Sequence, residues 1–89
     1  MSRLTRGTRS QDRPRAATQR SALADAFVDS WVSWREASED VRTAYRWWNE
    51  SAGRHRGLAF ERYRVALDRE QHAASIHSHW AQRVRAYFT

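Results

Sequence analysis

The chain lacks cysteine and lysine altogether, has one proline and three glycines, and holds no apolar run longer than three residues. Each absence closes off a class of answer. Without cysteine there is neither a disulfide staple nor a thiolate metal site, and the redox compartment stays open. Runs of three apolar residues cannot span a bilayer, which takes about 20. Residues 1–20 offer no apolar core for a secretory signal, so a cytoplasmic location is expected. Three glycines leave little loop for a phosphate cradle, and the sequence has no nucleophile motif or carboxylate pair set in a recognisable pocket. An enzyme is not expected, and no cofactor is implied.

All sixteen basic residues are arginine, which fits GC-rich coding and an actinobacterial-like, high-GC source or its phage. Arginine then also fills ordinary lysine roles, so its presence alone carries little chemical meaning. Its placement is more informative. Residues 1–20 hold six arginines against Asp12, a net +5, and residues 21–89 hold ten against nine acids, a net +1, together the +6 of the chain. Leu4 is the only large apolar residue of the first segment besides Met1, and Gly7 and Pro14 interrupt it. A segment that buries no apolar area cannot offset its ordering entropy, so residues 1–20 are expected to be a disordered tail.

What the chain does have is tryptophan, five of them, four within residues 23–52. Phe27, Trp34, Val41 and Trp48 fall seven apart, and Ala24, Trp31, Ser38, Tyr45 and Ala52 make a second row. Two rows three and four residues apart form one stripe on an α-helix. Ser21 is the expected N-cap and Gly53 the expected C-terminal stop, giving a first helix over 21–52. Residues 53–57, bracketed by Gly53 and Gly57, are the expected turn. A second helix follows over 58–87, with Phe60, Leu67, Ala74 and Ala81 in one row and Tyr63, Glu70, His77 and Val84 in the next.

A connection this short makes the helices antiparallel neighbours. The fold class is therefore all-α, a coiled-coil-like antiparallel two-helix hairpin. Phe27, Trp31, Trp34, Val41, Tyr45 and Trp48 are expected to pack on Leu67, Ala74, His77, Trp80 and Val84, with Phe27 facing Val84. Val28, Val32, Trp47, Val65 and Ile76 fall outside that stripe. Burying one large apolar side chain is worth about 1.5–3 kcal/mol, and a chain of 89 residues has little core of its own. Dimerisation into a four-helix bundle is expected, with Val32, Trp47, Val65 and Ile76 at the contact with a second copy or another helical protein.

Glu70 and His77 occupy seam positions where apolar residues belong. They are expected to form a buried polar set that fixes register, with Arg42 the best-placed partner for Glu70 and Trp34, Ser30 or Ser38 for His77. A metal or ligand site at Glu70 and His77 is the weaker alternative, since seven residues separate them by about 10 Å along a helix. A further alternative is nucleic-acid association, with Arg3, Arg6, Arg9, Arg13, Arg15 and Arg20 neutralising phosphates without sequence preference.

A helix–turn–helix of this length with Trp48 just before the turn resembles, in architecture, the small Trp-x-Gly hairpin proteins exported by type VII secretion. It is similar in the same way to other short helical proteins of high-GC bacteria. The resemblance covers residues 21–89 and implies a hairpin that dimerises into a four-helix bundle. Trp48 is followed here by Asn49 and Glu50, so the Trp-x-Gly motif itself is absent from the chain, as is a Tyr-x-x-x-Asp/Glu sequence after Tyr87. The resemblance is one of form.

Overall fold

The computed structural model describes residues 2–89, with side chains from residue 17 onward. It is all-helical. Helix α1 is Ser2–Glu50 and helix α2 is Arg54–Phe88, and the two pack against each other. Of the arginine-rich tail, the side chains of residues 1–16 lie outside the described residues, so the expectations for Arg3, Arg6, Arg9, Arg13 and Arg15 do too. Residues 17–20 are helical and exposed. Helix α1 passes through Ser21 without a break, because no glycine or proline lies between Pro14 and Gly53 to stop it.

The turn is shorter than the glycine pair suggests. Helix α1 ends at Glu50, and three residues, Ser51, Ala52 and Gly53, make the whole connection. Ser51 closes the helix twice: its hydroxyl donates to the Trp47 carbonyl at 2.7 Å and its N–H to the Trp48 carbonyl at 3.3 Å. Gly53 then reverses the chain at φ 63°, ψ −139°, a region that side chains disfavour strongly. No other described residue has a positive φ. Gly57, expected to end the turn, sits exposed inside α2. One glycine is enough.

The seam is heptad-spaced on both helices, but it is not the expected pair of stripes. Described residues of α1 that lose solvent recur at 23, 27, 30, 34, 37, 41, 44 and 48, in alternating steps of four and three, with Ala26 and Ser38 half-buried beside them. Those of α2 recur at 59, 63, 66, 70, 73, 77, 80 and 84, with Ala74 and Ala81 of the expected stripe half-buried beside them. The rows Phe27/Trp34/Val41/Trp48 and Tyr63/Glu70/His77/Val84 are in the seam, as expected. Their companions are the small rows Ser30/Ala37/Ala44 and Ala59/Ala66/Ala73, not Trp31/Tyr45 and Phe60/Leu67. Ala59 is 0% exposed, Ala66 8% and Ser30 6%, whereas Trp31 is 41% and Tyr45 44% exposed.

The reason is size. Ser30 hydrogen-bonds His77 across the seam, so opposite residues have numbers totalling 107. Through the middle of the hairpin this register sets every large residue against a small one. Trp34, Val41 and Trp48 lie opposite Ala73, Ala66 and Ala59, while Tyr63, Glu70 and His77 lie opposite Ala44, Ala37 and Ser30. Such alternation lets side chains interdigitate without voids. At the open end Phe27 falls opposite Trp80, and Leu23, not Phe27, opposite Val84.

Ring contacts agree with this register. Trp48 stacks on Tyr63 at 5.4 Å between centroids and meets Phe60 at 5.0 Å, and Phe27 meets His77 at 5.1 Å. The core is thin all the same. Among the described residues only Ala59, Ala66 and Ser30 are buried, and no large side chain is fully buried.

Candidate protein–protein interface

Four side chains form the polar centre of the seam. The Trp34 indole N–H donates to Glu70 Oε1 at 2.9 Å. His77 stacks on the Trp34 ring, 5.5 Å between centroids and 12° from parallel. Ser30 Oγ lies 3.0 Å from His77 Nδ1 and donates its own proton to the Phe27 carbonyl at 2.8 Å. A hydroxyl carries one proton, so with Ser30 donating to the Phe27 carbonyl, a hydrogen bond between Ser30 and His77 requires the proton on Nδ1.

Glu70 therefore takes its partner from tryptophan and not from Arg42, which is exposed and forms no ion pair among the described residues. Arg42 sits one position beyond the large row of α1, turned away from Glu70 on the opposite helix. No buried side-chain nitrogen or oxygen among the described residues lacks a hydrogen-bond partner. No three histidine or acidic residues among them gather where a metal could be held.

The remaining side chains divide between the two broad faces of the two-helix slab. On one, Trp47 of α1 and Ile76 of α2, each just before a large row, and Val65, just before the small row of α2, lie along two shallow grooves floored by Ala44, Ala66 and Ala73. Three of the four expected contact residues thus share this grooved face. Val32 does not: it lies on the outer side of α1 beside Trp31 and Glu36. Arg62 covers the Trp47 ring from the opposite helix, 4.6 Å from its centroid.

Charge on the grooved face is sorted by helix. Its grooves are lined by Asp29 and Asp40 of α1, with no arginine from that helix, and by Arg62 and Arg69 of α2, with Glu61 the one acid from that helix. Asp29, Asp40, Arg62 and Arg69 form no ion pair among the described residues, although Asp40 and Arg69 line the same groove. The two ion pairs present are Arg35 with Glu39 at 3.9 Å and Arg64 with Glu61 at 3.3 Å, both exposed and each within one helix. Pairs of that kind contribute little, about 0–1 kcal/mol.

On the opposite face, four residues on from each large row and so about 40° round the helix, lie Trp31 and Tyr45 of α1 with Phe60 and Leu67 of α2. All four are exposed. Sequence periodicity marks these residues as apolar but places them in the seam, so the face they build was missed. Its signal was the row of serine and alanine one residue earlier in each repeat, which fits a close seam better.

No helix among the described residues is long and apolar enough to cross a membrane. Comparison with protein-family models, with curated proteins and with solved structures gave no match, so what the faces do is argued from their geometry alone.

Proposed function

We propose that the chain is a small non-enzymatic interaction module that self-associates through its grooved face, completing a four-helix bundle. The sorting of charge on that face carries the reading. A two-fold axis parallel to the hairpin lays α1 of one copy over α2 of the other at the same level. Asp40 then comes against Arg69 of the second copy, acid against arginine. A two-fold axis across the hairpin would set acid on acid. Trp47, Val65 and Ile76 supply the apolar centre that charge pairs on a rim need, and closing it covers apolar area that a lone hairpin leaves wet.

Mass by light scattering or sedimentation across a concentration series tests this directly. The full chain is expected to dimerise, with Asp40→Arg and Arg69→Asp each weakening the dimer at least tenfold and the double exchange restoring it. A monomer at all concentrations would end the reading. So would a dimer indifferent to both exchanges.

A further inference from the structure

The face with Trp31, Tyr45, Phe60 and Leu67 has a different charge pattern, and this inference stands whether or not the grooved face self-associates. Its outer edges, one residue on from the large row of α1 and from that of α2, carry Arg35, Arg42, Arg64 and Arg85 and no acid. Arg42 and Arg64 occupy nearly the same level on opposite helices, one on each side of Tyr45 and Leu67. Arg35 and Arg64 lean outward on Glu39 and Glu61 of their own helices, while Arg42 and Arg85 have no ion partner among the described residues.

A second copy does not fit here. Either two-fold arrangement brings arginine rim onto arginine rim, and like charges brought together are costly. Stacked bases fit poorly too. Trp31 is already covered by Arg35, 5.1 Å from its centroid, and Tyr45 meets Trp48 edge-on and Tyr63 at a tilt. What the face does offer is a heptad-spaced apolar trough. Trp31, Ser38 and Tyr45 run along one wall and Phe60, Leu67 and Ala74 along the other, parallel to the seam. A trough of that period accepts a third helix by side-chain interdigitation.

We propose that this face is the docking site for an amphipathic helix of a partner protein, one whose apolar stripe is flanked by acidic residues. The stripe fills the trough, and the acids reach Arg42 and Arg64 on its two rims.

The probe is a synthetic peptide of about four heptads, leucine at the stripe positions and glutamate at the flanks, with a twin carrying lysine at the flanks. Each is titrated into the full-length protein and followed by amide NMR shifts. The glutamate peptide is expected to bind at least tenfold more tightly than its twin, to perturb residues around Trp31 and Leu67, and to weaken as salt rises. In the Arg42→Glu/Arg64→Glu variant, first checked for unchanged helicity, the preference should reverse.

Equal binding of the two peptides, binding of neither, or shifts confined to Trp47 and Ile76 would overturn the proposal. Oligouridylate and anionic phospholipid vesicles are run in parallel. If either perturbs the same face more strongly than the glutamate peptide, the partner is not a helix. Since the grooved face is untouched by these substitutions, failure here leaves the dimer measurement independent.

Discussion

Leucine at Ala66 is the sharpest probe of where the two helices touch. Ala66 is buried opposite Val41, and the helices approach there because neither side chain is large. Leucine adds three carbons that have no cavity to enter, and overpacking of this kind costs about 1–3 kcal/mol. Ala74→Leu adds the same atoms one position outside the close row, at a half-buried site where the side chain turns toward the trough; it should cost less than Ala66→Leu, under about 1 kcal/mol.

Stability of small domains is of order 0.05–0.15 kcal/mol per residue, so the Ala66 change removes a substantial part of the total. At about 4–8 °C per kcal/mol, its melting temperature should fall by roughly 4 °C or more. Far-UV circular dichroism melts at one fixed protein concentration decide it. If Ala74→Leu is the more destabilising of the two, the close seam runs through the Leu67 row and the reasoning fails.

Trp34→Phe should cost about 1–2 kcal/mol by removing the donor to Glu70, and a double-mutant cycle with Glu70→Leu should return a coupling near 1 kcal/mol; a cycle closing to within 0.3 would show the bond to be idle. Glu70→Leu alone should destabilise by about 1 kcal/mol, because it leaves the Trp34 indole N–H without an acceptor; urea midpoints measure it. Gly57→Ala should stabilise by about 0.5–1 kcal/mol, since that glycine is helical and an added methyl meets nothing within 4 Å, while Gly53→Ala should destabilise by at least about 1 kcal/mol from its positive φ. Long-range proton–nitrogen NMR spectra of neutral His77 should place its proton on Nδ1; a proton on Nε2 would mean that Ser30 does not bond the Phe27 carbonyl.

The hairpin, its antiparallel sense and the large row on each helix were legible in the sequence, because residues seven apart must share a side of a helix. The companion rows were not. A heptad pattern does not say whether the row at +3 or the row at +4 completes the seam, and apolar size favoured Trp31 and Tyr45 over Ser30 and Ala44. Packing reverses that preference, since Trp34 and Trp48 need alanine opposite them. Gly57 misled for a related reason: one glycine with positive φ suffices to reverse the chain, and the second is carried into α2. The contact of His77 with Trp34 and Ser30 follows from the large row alone. The partner of Glu70 does not, because an indole N–H is easily overlooked beside ten arginines.

The alternation of large and small residues repeats every seven positions, and a pattern that repeats is degenerate. Sliding α2 by one heptad, about 10 Å, would again set most large residues over small ones. Sliding α2 toward the turn end of α1 puts Trp34 on Trp80, so one direction is blocked by volume. The other direction keeps the volumes but places Ser30 against Glu70 and strands the Trp34 indole N–H. Apolar packing tells these helices to pair, while a single hydroxyl, one imidazole and one carboxylate, with a three-residue connection, tell them where. If two copies ever exchange helices, the connection no longer enforces the alignment, and those few polar atoms become the whole of its address.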